Sequence, residues 1–593
     1  MADRRALPFR THKEEGPDML TGPKAFGIVV ALVGLAFCAE PSVSGQSPMS
    51  DPRVNPPSLR EPAPSDMKGV DLNATVYRVL RGSPRSLSPI FRSSTYEFYF
   101  AELMFPTLVV WDAQMRWQPH PDLVEEYSES EDHSEATIRL RAGLTWHDGH
   151  PFTADDVVFS WEVIRDALVP VPAMRVGTDQ IAECRAIDSR TILFRHKKAS
   201  PVSPANLAFS IVPKHIYEPG RAADPTLRDS DYFNRVHRNP VGYGPYRFVE
   251  WVENDRIVLE RWDGFTGRKP YIERVVFRIV PDSQSAFLLF KKGELDELPL
   301  TAAQFSSESS DELFARRAVK ALATRWDYAY IGWNQDGSNP FFFDTRVRRA
   351  MTQAVNTPLM IEKIYQKLVT PCFGIYHPDF WAFDRSIRRI EYDLTAAASE
   401  LDRAGWRVSE EDGWRHKDGT RLKFTMLVPI GSESGPVVSA ILQDDLRKIG
   451  VDMHVQNIEW AAYLERVRAH DFEACIAAWG MDPDPDSGWN IWRSDQYDDG
   501  RNYIGYSNAR VDELYSKGRE LFDPKGRRDC YREIQKLIYR DQPYTFLWNR
   551  SSLWAFSRRL GGVELSPRGI GSFYPGMLNW WVRKDGKTPA ENR

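Results

Sequence analysis

What the sequence has little of narrows its function first. After Ala39 no apolar stretch approaches the roughly 20 residues that a membrane-spanning helix needs. A surplus of one charge is missing too: 77 Lys and Arg stand interspersed with 82 Asp and Glu, for a formal net charge of −5. Binding a phosphate backbone requires a basic face, so nucleic acid is not an expected partner. Cysteine is scarce, with five in 593 residues, none in CxxC spacing and none near clustered histidines, which argues against a zinc set. Catalytic signatures are lacking as well: there is no G-x-S-x-G elbow, no H-E-x-x-H helix and no glycine-rich phosphate loop. The nearest miss, Gly431-Ser432-Glu433-Ser434-Gly435, has no serine at its centre. An enzyme is therefore unsupported, and no cofactor is expected. His147 and His150 flank a turn, where a metal site would want additional ligands nearby, so hydrogen-bonded or solvated histidines are the expectation there. No repeat of fixed period is visible.

What is present describes a large exported globular chain. The length corresponds to about three or four compact units, and 42% hydrophobic residues with 19 Trp, 23 Tyr and 31 Phe are enough for a sizeable core. Lys24 precedes the apolar run Ala25 to Ala39, which Glu40 and Pro41 end; this reads as a secretory signal over 1–45, cut after Gly45. The alternatives are a lipoprotein cut before Cys38 and an uncleaved anchor. The exported chain would keep Cys184, Cys372, Cys475 and Cys530, whose three possible full pairings and four free thiols stay equally open. Residues 46–73 are rich in Pro, Ser and Asp and predict a flexible linker.

From Ala74 the pattern becomes periodic. Thr75 to Leu80 and Ala136 to Leu140 alternate as strands. Thr153 has the character of a helix N-cap before Ala154-Asp155-Asp156. Later, Val438, Ile441, Leu442, Leu446 and Ile449 share one helical face between Pro436 and Gly450. Val451, Met453 and Val455 then alternate as a strand, a helix follows over 460–468, and Phe472 to Ala478 is an apolar run. This is an alternating α/β unit, which places 479–488 just past the end of a strand, where open α/β sheets bind their ligands.

That segment contains Asp482-Pro483-Asp484-Pro485-Asp486 between Trp479 and Trp489. Two prolines stiffen a chain carrying three carboxylates, an arrangement that can hold a fixed anion against a cationic group. The competing reading for Asp484 and Asp486 is that they bond their own turn backbone. The D-x-D-x-D spacing also occurs in calcium loops, but here the glycine comes one place late and Arg493 occupies the twelfth position.

Read in order, several segments resemble the family 5 extracellular solute-binding proteins, the dipeptide and oligopeptide binding components of bacterial ABC transporters. They are Pro121-Asp122-Leu123, the long block from Ile138 to Ser160 (IRLRAGLTWHDGHPFTADDVVFS), Pro240 to Tyr246 (PVGYGPY), Asn334, Asp344 to Ala350, and Tyr506 to Asp512. The resemblance implies an α/β, two-lobed periplasmic-binding-protein (Venus flytrap) fold with an additional domain and discontinuous, hinge-connected lobes. Lobe I would take 74–104, 236–325 and 546–586, the additional domain 105–235, and lobe II 326–545. It implies capture of a peptide or peptide-like ligand between the lobes and delivery to a membrane ABC permease, by a monomer in the periplasm or otherwise outside the cytoplasm. Asp482 would receive the peptide's ammonium, beside Trp479. The main chain of Ala478 and Gly480 would pair with the ligand backbone, and Phe105 to Leu108 would face it from lobe I. In that last segment Pro106 and Thr107 stand where the family usually has glutamate and glycine. Members also carry nickel chelates, haem, opines and oligosaccharides; for a sugar, Trp479, Trp489 and Trp492 are the stacking candidates. An exported hydrolase or chaperone on the same scaffold is the alternative from another class.

Overall fold

The computed structural model describes residues 56–584, apart from 93, 94, 176, 431, 433, 499 and 572. The expected signal segment, and the linker as far as 55, lie outside the described residues. The rest of the expected linker is not a free tether. Pro57–Arg60 forms a short helix that buries Leu59, and Val563 N donates to the Leu59 carbonyl. Val70 is buried and bridges to Arg583, and Asp71 N donates to Val582 O at 2.8 Å. A few apolar residues among the prolines find a dock on the C-terminal strands, and that contact overrides the flexible composition.

Two sets of sheets carry the molecule. In the first, Thr75–Leu80 lies parallel to Arg274–Ile279, followed by Arg256–Arg261 and Tyr246–Val252 in antiparallel order. Ser551–Ser557 runs between Glu297–Pro299 and Ala318–Thr324. A separate antiparallel sheet, in the order Val124–Glu129, Glu135–Leu140, Thr191–His196, Ile181–Ala186, carries the helix Ala154–Arg165. Asp156 reaches back from that helix to the Thr153 N–H at 2.9 Å, completing the expected N-terminal cap.

The second set is one five-stranded sheet in the order Asp452–Ile458, Lys423–Pro429, Ala474–Gly480, Asp327–Trp333, Tyr544–Phe546. The helix Gly435–Lys448, with proline in its first turn and left-handed Gly450 just past its end, precedes Asp452–Ile458 as the period of the sequence predicts. Trp460–Arg468 follows, also as predicted. The expected loop after the 472–478 run begins later: Trp479 and Gly480 still belong to the strand.

The interior is divided in the same way. One apolar cluster draws only on 59–279, 321–323 and 554–582, and a smaller one on Val79, 286–318 and Ala555. The two clusters packed with the five-stranded sheet draw only on 328–548. The chain passes between the two sets of sheets at 325–326 and again at 550. Asp327, fully buried, grips both passages: Arg550 donates to it from N at 2.9 Å and from Nε at 2.8 Å, and Arg325 Nε stands 3.2 Å away. The two sides also touch far from these passages. Phe522 stacks on His133 with ring centroids 4.4 Å apart, and Lys198 pairs with Glu520. Cys184, Cys372, Cys475 and Cys530 are all free and buried. No helix among the described residues is long and apolar enough to cross a membrane.

Candidate functional site

The strand Ala474–Gly480 is paired on one side only along most of its length. Asp327–Trp333 runs antiparallel to it throughout, from Trp333↔Ala474 to Asp327↔Gly480. On the other side, Lys423–Pro429 meets it only at Met426↔Ala474 and Leu427↔Cys475 and then diverges. In an antiparallel ladder, alternate residues turn their N–H and C=O toward the partner and away from it. Leu547 N bonds the Ala329 carbonyl at 2.9 Å, so Ala329 faces the Tyr544–Phe546 side, and its register partner Ala478 faces outward. Met481 N donates to Trp326 O at 2.8 Å, which likewise turns Gly480 outward. The Ile476 carbonyl, next on the same edge, is satisfied by the Tyr463 hydroxyl at 2.9 Å. Beyond it, Ala478 and Gly480 are exposed, and a Cβ built on Gly480 would meet no atom within 4 Å. Two residues of strand edge are thus open to a further strand.

The three carboxylates that follow have separate fates. Asp484 takes both terminal nitrogens of Arg527 at 2.7 Å and accepts from Asp486 N at 2.9 Å. Asp486 is buried against Arg519 at 2.8 Å; burial pushes its carboxyl up, and Arg519 offsets part of that rise. Asp484 thus bonds its own turn backbone, the reading weighed for it from sequence, whereas Asp486 is held by the Arg519 side chain instead. Asp482 is exposed and forms no hydrogen bond or ion pair among the described residues. Pro483, between them, lends its carbonyl to Trp381 Nε1 at 3.4 Å. The loop is thus anchored at Pro483, Asp484 and Asp486, and its first carboxylate is left free.

The aromatic residues divide in the same manner. Trp479 is half-buried; its Nε1 donates to the Tyr544 hydroxyl at 3.2 Å, and its ring lies nearly parallel to Tyr330, which itself stacks on Tyr544 at 3.8 Å. Trp489 has the guanidinium carbons of Arg493 and Arg519 at 3.8 and 3.9 Å from its ring centre. Two groups that close cannot share one face, so both faces of Trp489 are covered, and Trp492 is fully buried. Neither ring is open for stacking on a sugar. Phe105 and Leu108 also have buried side chains, and the Leu108 carbonyl accepts from His120 N; only main-chain groups of that segment remain for a ligand. Sequence reasoning missed Trp381, Tyr463 and Arg527, whose roles depend on contacts made across the fold.

An open strand edge ending in an unpaired carboxylate suits the binding of an extended, cationic ligand. The relatives agree in kind. The chain is 29% identical over 454 residues to the oligopeptide-binding protein AppA of Bacillus subtilis, covering 75% of this chain and 80% of that one. It is 25% identical over 481 residues to heme-binding protein A of Haemophilus influenzae, covering 77% and 83%. The structure of Bacillus subtilis AppA in complex with a nonapeptide superposes with a TM-score of 0.69 at 25% identity, over 87% of this chain and all of that one. Such neighbours fix the fold as the two-lobed α/β binding-protein type. The sequence profile described as bacterial extracellular solute-binding proteins, family 5 Middle, matches residues 118–500, and the chain belongs to that family.

Proposed function

We propose that this protein captures short peptides between its two lobes outside the cytoplasm and delivers them, chemically unchanged, to a membrane ABC permease. The observation that carries the reading is the free Asp482 carboxylate two residues past an open strand edge at Ala478 and Gly480. A peptide laid antiparallel or parallel on that edge gains main-chain bonds that ignore its side chains, and its ammonium gains a charge-assisted bond to Asp482. The names of relatives support the same ligand class: an oligopeptide-binding protein and a nonapeptide complex stand among them. In this proposal lobe I comprises 74–104, 236–325 and 546–586, with 105–235 packed on it, and 326–545 is lobe II. Closure is a population shift, favoured because the ligand touches both lobes. The protein acts as a monomer.

An oligosaccharide would need open aromatic faces, and the covering of Trp489 and burial of Trp492 weigh against it. Native mass spectrometry of the purified exported chain, followed by denaturing release, tests the reading. A heterogeneous set of short peptides is the expected result. A released sugar or tetrapyrrole would overturn the ligand class, and conversion of an added peptide to new products would overturn the binding role.

A further inference from the structure

We propose that Asp148, His150 and His215 form a binding site for a single divalent transition-metal ion of the zinc and nickel kind. From sequence, His147 and His150 flank one turn without enough ligands for a metal; the fold turns His147 to the chain at 242–244 and brings His215, 65 residues beyond His150, beside Asp148 and His150. Lys214 N donates to Asp156 Oδ1 at 3.0 Å, which seats the start of the helix Lys214–Arg221 on the helix Ala154–Arg165. That contact brings His215 over the turn leading into Ala154–Arg165. The turn is itself well fixed. Trp146 N donates to His150 O at 2.7 Å, Gly149 N to Trp146 O at 2.9 Å, and Gly149 takes a left-handed φ of 89°.

The three side chains already converge. Asp148 Oδ2 is 2.7 Å from His215 Nε2, and Asp148 Oδ1 is 3.3 Å from His150 Nδ1. The two imidazoles lie nearly parallel, with centroids 4.0 Å apart and 16° between planes. One ligand atom from each residue lies within 4.8 Å of the others. Tetrahedral bonds of about 2.0–2.2 Å need ligand atoms about 3.3 Å apart. The required contraction, up to about 1.5 Å from the 4.8 Å limit, falls within reach of His150, whose side chain is 59% exposed. A neutral imidazole carries one ring nitrogen with a lone pair to offer. A metal ion joins both lone pairs and the carboxylate on one centre, and its charge meets an anion already in place.

The donor set selects the metal class. Two imidazoles and one carboxylate suit zinc, nickel, cobalt and copper, whereas calcium and magnesium prefer shells made of oxygen alone. Three protein ligands leave one position for water. The buried thiols of Cys184, Cys372, Cys475 and Cys530 offer no competing site. The ion would clip the turn to the helix. The same turn holds the chain at 242–244: His147 N donates to Gly242 O at 2.7 Å, and Gly242 N to His147 Nδ1 at 3.2 Å. Tyr243 N and Gly244 N in turn both donate to Met104 O at 2.9 Å.

The test uses the full exported chain without an affinity tag, stripped with EDTA and titrated with zinc chloride by calorimetry. One saturable equivalent of zinc, a raised melting temperature with zinc and no response to calcium are expected. His150→Ala, at an exposed position where folding is not at risk, and His215→Gln should each weaken zinc binding at least tenfold. Peptide binding by His150→Ala should be unchanged, which keeps this site separate from the one at Asp482. Absence of saturable zinc binding in the unaltered chain would overturn the proposal, as would an unchanged isotherm in His150→Ala.

Discussion

Asp482 and Asp484 are two residues apart in one proline-stiffened loop, yet they do opposite work. Asp484 is gripped by both terminal nitrogens of Arg527, and Asp482 has no partner among the described residues. The carboxylates are chemically identical, and the spacing D-x-D-x-D gives no means to tell them apart. What separates them is a guanidinium 43 residues farther along the chain. A functional group in such a loop is recognised by bonding capacity that the fold leaves unused, and its neighbours by capacity that the fold has filled.

The contrast can be broken most directly at Asp482. Replacing it by Ala should cost about 2–5 kcal/mol of peptide affinity, or about 30- to 4,000-fold in Kd, with the melting temperature unchanged. Calorimetry with a released natural peptide checks both parts, and undiminished affinity would remove Asp482 from the site. Asp484→Ala should invert the pattern. It leaves Arg527, 9% exposed, without its carboxylate, at a cost of about 1–3 kcal/mol in stability, so denaturant unfolding moves while peptide affinity falls less than for Asp482→Ala.

Acid sharpens the same distinction. His377 lies in the segment that includes Trp381, the support of Pro483, and burial pushes its imidazole down to about 4. In the unfolded chain the group titrates near 6.5. Between these values the unfolded chain takes up a proton that the fold excludes. Its part of the stability is therefore complete above pH 6.5 and falls by about 1 kcal/mol per pH unit toward pH 4. Urea unfolding at pH 7 and 5.5 should show the loss, and His377→Gln should lessen it. The smallest effect belongs to the far contact between the two sets of sheets. Phe522→Ala removes the stack on His133, worth about 0.5 kcal/mol, and should lower the stability in urea unfolding by that amount. An unchanged unfolding midpoint would mean that this contact adds nothing to stability.

Much of the part built on the five-stranded sheet was legible because its elements are periodic. The helix face from Val438 to Ile449, the alternation of Val451, Met453 and Val455 and the helix at Trp460–Arg468 all express local rules, and the structure contains each. The docking of Leu59 and Val70 was not legible, since it depends on C-terminal strands some 500 residues away. Trp489 carried the same ambiguity in sequence as Trp479. Only Arg493 and Arg519, brought together by packing, show that its faces are closed. The free edge at Ala478 and Gly480 was placed by resemblance, but its openness depends on where Lys423–Pro429 turns away, which no local pattern records.

The buried carboxylate of Asp327 also bears on how the molecule moves. It holds Arg325 on one passage of the chain and Arg550 on the other, so the two cannot shift independently without exposing a charge. A door on two hinges swings true only when the pins share a line, and here one ion cluster supplies that line. Sliding one passage against the other would break one of these ion pairs, whereas a rotation about the line through the cluster need not. Closing over a ligand then removes little orientational freedom, because the protein gave most of it up when it folded.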